Sequence, residues 1–216
     1  TKRGNGPCYR NKYDRTGTRM KDMRNSLPDE MRKMLVDPYE FLSQFYNKPK
    51  IVLAEGAQGF GIDIDWGEYP YVTSSHCTVS GIVSNGIPHN TINKVWGVGK
   101  WYETYVGKNK FEGDDPIFPK LREAGSEFGA TTGRPRQCSW LNLDTLFKSC
   151  LINGVTNLVL NKEDILTSVG VYKLIHEGEV VQFTDIASMK QFVQHHMFKN
   201  CSSLVEFHSS ASPNGF

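Results

Sequence analysis

At 216 residues with a formal net charge of +2, the chain is long enough to bury a core and too nearly neutral for charge alone to imply a polyanionic partner. Its 38% hydrophobic and 22% charged content is that of an ordinary globular protein, with no apolar run of bilayer-spanning length and no signal-peptide pattern, so no membrane partner is expected. Five scattered cysteines, none in a Cys-x-x-Cys pair, argue against a disulfide scaffold or a zinc site and for a reducing, cytoplasmic setting.

The segment Thr1 to Gly17 is rich in glycine and basic residues and reads as a loop. From Lys2 to Arg24 eight basic residues face only Asp14 and Asp22. A solvated basic face or contacts to a small anionic ligand account for them; the absence of interleaved aromatics speaks against nucleic acid. Pro28-Asp29-Glu30 opens a helical stretch toward Asn47, divided at Pro38, with Met31, Met34, Leu35, Phe41, Leu42 and Phe45 as its candidate buried stripe. Ile51 to Ala54 reads as a short buried strand, and Val95 to Val106 as another. Asn142 to Gly154 is the clearest helix: Leu143, Leu146, Phe147, Cys150 and Leu151 recur at helical spacing, Asn142 is a candidate N-cap and Gly154 a C-terminal stop. Strand, helix, strand order around Asn142 to Leu160 points to an α/β fold with a mainly parallel central sheet flanked by helices. A hairpin turning at Glu177-Gly178, a helix near Ile186 to Phe198, a strand near Leu204 to Phe207 and a polar tail complete the chain. No repeat or low-complexity linker interrupts it, so a single domain over 1–216 is expected.

The sharpest chemical signal is Asn161-Lys162-Glu163-Asp164, directly after the apolar run Leu158-Val159-Leu160. A carboxylate at the end of a buried strand can accept from N1–H and the 2-amino group of guanine, donors that adenine lacks. The lysine stem can lie along the purine face. Yet no Gly-x-x-x-x-Gly-Lys-Ser/Thr loop is present to cradle phosphates. Two further loops are weaker signals. Gly56-Ala57-Gln58-Gly59, running on to Ser75, offers close backbone approach and an amide that donates and accepts at a purine edge. Asp63 and Asp65 within it read as structural hydrogen-bonding residues rather than metal ligands. Phe128 to Arg136 combines small residues, Thr131, Thr132 and two arginines, an anion site of unspecified identity. His76, His195 and His196 have no partners at metal or triad spacing.

Together these segments resemble the adenylosuccinate synthetases. The resemblance runs in order through Thr1 to Pro7, Glu55 to Ser75, Tyr105-Val106-Gly107, Gly129 to Arg136, Trp140-Leu141, Asn161 to Asp164 and Ser210 to Pro213. It implies a P-loop-NTPase-like fold lacking its N-terminal part. It also implies a ligase of purine nucleotide biosynthesis: a nucleoside triphosphate, with Mg2+, phosphorylates the 6-oxo group of a purine monophosphate, and L-aspartate then displaces the phosphate. By the same resemblance, Thr1, Arg15, Gln58, Thr73, Val106 and Arg134 would contact the purine monophosphate, with Gln58 at the 6-oxo edge and Gly107 beside Val106 at the ribose. Arg15 would reach the site of a partner subunit in a homodimer. Thr131, Thr132 and Arg134 would clamp aspartate. Arg136, Lys162, Asp164, Ser210, Ser212 and Pro213 would bind GTP.

The family's catalytic Asp and His, phosphate loop and magnesium ligand are expected ahead of Thr1, so the chain alone is expected to be inactive. The alternative is a guanine-nucleotide-binding fragment needing an N-terminal partner. The compact stretch from Asp164 to Ser210 resembles archaeal members and the phage branch, and the residues Asp65 to Tyr71, Ser74 to Cys77 and Arg136 to Cys138, with the extra Lys108 to Asp115 segment, resemble the phage branch. That branch takes GMP or dGMP in place of IMP. Asn161 stands where the family has Thr and Ser212 where it has Gly, which leaves ATP or dATP open as donors beside GTP.

Overall fold

The computed structural model describes residues 4–46, 48, 51–129 and 133–212. The chain divides into two compact units, Thr1–Ile92 and Asn93–Phe216.

The first unit is helical and irregular. Helix α1 (Asn5–Tyr13) occupies the segment whose glycine and basic content reads as a loop. Gly4 starts it in the left-handed conformation and Pro7 lies in its first turn, where a missing N–H goes unused. No residue of α1 is buried, so no apolar stripe could have announced it. α2 (Asp29–Lys33) and α3 (Pro38–Tyr46) are separate helices, with Pro38 at the first position of α3. The expected buried stripe is not one: Met31, Met34 and Phe41 are exposed. The expected strand Ile51–Ala54 is also absent; Ile51, Val52 and Leu53 are exposed, and no strand pairs with them among the described residues. Extended chain without a ladder partner satisfies no hydrogen bonds of its own. A short helix, α4 (Val79–Ser84), follows the long loop of residues 55–77. In this unit Asp63 is the one buried residue among those described.

The second unit holds the hydrophobic core and both sheets. β1 (Trp96–Lys100), β4 (Asn157–Asn161) and β7 (Glu206–Ser209) form a parallel sheet in the order β1-β4-β7. β2 (Tyr102–Tyr105), β3 (Gln137–Asn142), β5 (Tyr172–His176) and β6 (Glu179–Phe183) form a mixed sheet in the order β2-β3-β5-β6, with only β3 and β5 parallel. The expected strand Val95–Val106 is thus two strands in two sheets, and the chain changes sheet at Trp101, which is fully buried. β3 and β4 likewise belong to different sheets, so the helix between them connects sheets rather than neighbouring parallel strands.

That helix, α6 (Leu143–Asn153), begins and ends as its sequence indicates. The Asn142 side chain accepts from Thr145 N–H at 2.9 Å, and Gly154 closes it at φ 59°. Leu143 and Cys150 are buried, whereas Leu151 faces solvent. Glu177 and Gly178 both take positive φ, the geometry of a tight hairpin turn between β5 and β6. α5 (Ile117–Gly125), α7 (Glu163–Val169) and α8 (Ile186–Asn200) supply Leu121, Leu166, Met189, Val193 and Met197 to the core. Leu158, Val159 and Leu160 of β4 are buried, as a strand covered on both faces should be. No described helix is long and apolar enough to cross a membrane.

Candidate nucleotide site

The three parallel strands end side by side, and two of their carboxyl ends lead into segments that the sequence singles out, Asn161 to Asp164 at the end of β4 and Ser210 to Ser212 after β7. Lys100 ends β1, opposite Asn161 at the end of β4, and Ser209 ends β7 opposite Leu160. Ligands of open α/β sheets lie outside such strand ends. Lys162 follows β4 in the left-handed conformation at φ 69°, a sparsely occupied state for a side-chain-bearing residue, and this turns the chain sharply into α7. Glu163 N–H donates to Ser210 carbonyl at 3.2 Å, and Ser210 N–H donates to Leu160 carbonyl at 3.0 Å. Ser210 is buried and its hydroxyl donates to Ser212 carbonyl at 2.6 Å. Parallel pairing of β4 with β7 therefore brings Lys162, Asp164, Ser210 and Ser212 together across nearly fifty residues of sequence. Asp164 is exposed in the first turn of α7, rather than buried as a carboxylate closing a buried strand would suggest.

A second cluster borders this loop. Glu127 is buried; one carboxylate oxygen accepts from Lys100 Nζ and from Tyr102 hydroxyl, each at 2.7 Å, and the other from Arg136 Nη1 at 2.8 Å. Burial pushes the Glu127 carboxyl up, but the hydrogen bonds and charges of Lys100, Tyr102 and Arg136 outweigh it and hold the group below the ordinary carboxylate range. Lys100 is shifted down by its burial, against the pull of Glu127. Lys162 Nζ reaches Gly125 carbonyl at 3.3 Å, two residues before Glu127. A bridge between Phe128 and Pro135 and a bond from Gly129 N–H to Arg134 carbonyl at 2.8 Å close the stem of the segment expected to bind an anion. Glu127, Tyr102 and Lys100 escaped the sequence reading. Glu127 carried one signal, a carboxylate directly preceding a loop with two arginines. Val106 is exposed, and Gly107 beside it lies against the Tyr105 ring, its carbonyl accepting from Gln137 Nε2 at 3.5 Å.

In the first unit, Gln58 stands at φ 65° and its side-chain oxygen accepts from Ser75 hydroxyl at 3.3 Å. Thr73 N–H donates to Ile62 carbonyl at 2.8 Å, drawing the two ends of the loop together. Asp63 organises this loop. It accepts from Asp65 N–H at 2.9 Å and Trp66 N–H at 3.0 Å through one oxygen, and from Cys77 N–H through the other. The structural role expected of it is what these bonds describe. Asp65 lies 3.3 Å from His76 Nδ1, a partnership that spacing along the chain had not suggested. Arg15 is exposed just beyond α1 at φ 62°. Thr1, Thr131, Thr132 and Pro213 lie outside the described residues.

Comparison with known proteins identifies relatives of the chain. The adenylosuccinate synthetase family model matches residues 24–202. Among curated relatives, the adenylosuccinate synthetase of Salinibacter ruber is 38% identical over 219 residues, covering 82% of this chain and 50% of its own length. That of Cytophaga hutchinsonii is 46% identical over 144 residues, covering 65% of this chain and 33% of its own length. The chain thus spans half or less of the length of these relatives. The fully ligated adenylosuccinate synthetase of Plasmodium falciparum superimposes with a TM-score of 0.72 at 33% identity, over 84% of this chain and 53% of that one. The succinoaminodeoxyadenylate synthetase of cyanophage S-2L, bound to dGMP and dATP, shares the fold with a TM-score of 0.58 at 18% identity, over 83% of this chain and 48% of that one. On the extent of the family match and the ordered motifs, the chain belongs to the adenylosuccinate synthetase family.

Proposed function

We propose that this chain is the base- and amino-acid-reading part of a ligase that joins L-aspartate to the 6-oxo position of a purine monophosphate. The observation that carries the reading is the convergence of Lys162 and Asp164 with Ser210 and Ser212 at the carboxyl ends of β4 and β7. In this reading the γ-phosphoryl group of the triphosphate passes to O6 and a nucleoside diphosphate leaves. The aspartate amine then attacks C6, the C6–O6 bond breaks, phosphate departs with that oxygen, and the amine loses a proton. Phosphorylation makes O6 a good leaving group, which divides one hard substitution into two easier ones.

Asp164 accepts from N1–H and the 2-amino group of the triphosphate's guanine, and Lys162 and Ser212 flank the ring. Arg136 and Lys100 add positive charge beside it. Gln58 and Thr73 hold the purine monophosphate, Thr131, Thr132 and Arg134 hold aspartate, and Arg15 serves a partner subunit in a homodimer. The acceptor is IMP or, as in the phage branch, GMP or dGMP.

Magnesium belongs to the family's chemistry, but the described residues do not fit it. The one cluster of candidate ligands, Asp63, Asp65 and His76, has both Asp63 oxygens engaged by backbone N–H groups and offers a histidine nitrogen, where Mg2+ prefers oxygen ligands and its own waters. No step is assigned to this cluster.

Calorimetric titration of the chain with GTP, ATP and XTP tests the reading. GTP should bind best. Asp164→Asn should lose GTP by about a hundredfold and gain XTP, whose 2-oxo group accepts from the new amide. Equal binding of GTP and ATP by the unsubstituted chain would overturn it. A second reading, a binder of guanine nucleotide that performs no chemistry alone, is favoured by the lack of a Gly-x-x-x-x-Gly-Lys-Ser/Thr loop. Titration with IMP, GMP or dGMP and with aspartate separates the two: the first reading expects them to bind beside GTP, the second expects GTP alone, and neither expects phosphate release from the chain by itself.

A further inference from the structure

We infer that Glu163 sets the guanine selectivity of the base loop as a positioning residue, fixing the turn that carries Asp164 without touching the base itself. This rests on the assignment of Asp164 as guanine reader. Glu163 lies between the two residues assigned to the base, and its carboxylate is directed to two other elements, β7 and α8. One oxygen, Oε2, accepts from Ser209 hydroxyl at 2.5 Å and from Lys190 Nζ at 2.9 Å. Ser209 Oγ in turn accepts from the indole N–H of the fully buried Trp101 at 2.9 Å. The Glu163 backbone N–H donates to Ser210 carbonyl. The turn after β4 is thus anchored to α8, to the end of β7 and, through Ser209, to the corner between β1 and β2.

An exposed lysine–glutamate pair is worth little. This one differs: the Glu163 side chain is 18% exposed, its partner oxygen also takes a hydroxyl, and that hydroxyl is held by a core tryptophan. Charge-assisted bonds of this kind are short and directional. They oppose the left-handed Lys162, whose backbone conformation would otherwise relax and carry Asp164 with it. A carboxylate meeting two donors on one base edge tolerates little displacement, because hydrogen bonds weaken steeply as their angles close. Slack in the turn costs the 2-amino contact.

The readout is therefore the ratio of GTP to ITP affinity, since ITP lacks only the 2-amino group. A residue with a purely structural role would weaken both ligands alike and leave the ratio unchanged. Calorimetry on the full chain compares the unsubstituted protein with Glu163→Gln and Ser209→Ala, with folding checked by circular dichroism. The unsubstituted chain should prefer GTP by about tenfold or more, and Glu163→Gln should erase most of that preference. Should Glu163→Gln fail to fold, Ser209→Ala decides by the same ratio. A folded Glu163→Gln protein that keeps its full preference for GTP over ITP overturns the inference alone. No GTP preference in the unsubstituted chain removes the base-reading assignment, and the inference with it.

Discussion

Glu127 meets Arg136 twice: its carboxylate lies 2.8 Å from Nη1, and its carbonyl accepts the Arg136 backbone N–H at 3.0 Å. The two residues bracket residues 128–135, so one ion pair closes the stem of the segment that carries Arg134. The other carboxylate oxygen of Glu127 ties that stem to Lys100 and Tyr102. Loop stem, the end of β1 and the start of β2 thereby share one buried anion.

Glu127→Gln should destabilise the protein by about 3 kcal/mol, because the half-buried cations Lys100 and Arg136 lose their counter-charge while the amide cannot accept from all three partners. Urea denaturation at neutral pH measures it. The folded-state pKa of Glu127 is lowered, so its contribution is present above the ordinary carboxylate range and lost as pH falls through the folded value. The gap between variant and parent should therefore narrow in acid. An unchanged midpoint at neutral pH would show that the hub contributes nothing.

Glu103 has the opposite sign. Its carboxyl is pushed up to about 7 by burial, against one lowering bond from Asn142 N–H at 3.2 Å. Between the ordinary carboxylate value and about 7 the native state holds more protons than the unfolded one, so this group lowers stability as pH rises. Glu103→Gln should flatten the decline in melting temperature from pH 5 to pH 8, and should stabilise the protein at the alkaline end. Parallel melting curves for variant and parent across that range would contradict this.

In the first unit, a methyl group at Gly67 would come within 2.6 Å of Asp63 carbonyl and 2.7 Å of Gly61 carbonyl, both backbone atoms that cannot turn aside. Gly67→Ala should open the loop that Asp63 organises. Asp63→Asn should cost about 2 kcal/mol, since one acceptor oxygen replaces two. Amide hydrogen exchange at Asp65, Trp66 and Cys77 should quicken in both variants, and IMP affinity should fall if Gln58 and Thr73 read the monophosphate.

Asn142→Ala removes the cap of α6 and should cost about 1 kcal/mol. Asn142→Ser should restore most of it, because a hydroxyl can also accept from Thr145 N–H. A cap-free helix as stable as the parent, by thermal denaturation, would mean that packing of Leu143 and Cys150 alone sets its start.

The sequence by itself determined the elements whose instructions are local. The period of Leu143, Leu146, Phe147 and Cys150 defined α6, Asn142 and Gly154 its two ends, the Glu177-Gly178 pair the hairpin turn, and the apolar run 158–160 a buried strand. The ordered motifs also identified the family, because their residue types and their order are properties of the sequence itself. Only the tertiary structure decided what depends on partners. It split residues 95–106 between two sheets at Trp101, left Ile51 to Leu53 exposed, and made a helix of a segment with no apolar face. It also joined Glu127 to Lys100 and Arg136, and Glu163 to Lys190 and Ser209. A period or a cap is written within a few neighbouring residues, whereas an ion pair or a strand ladder exists only once residues far apart in sequence have been brought within about 3 Å, and no local pattern encodes that distance.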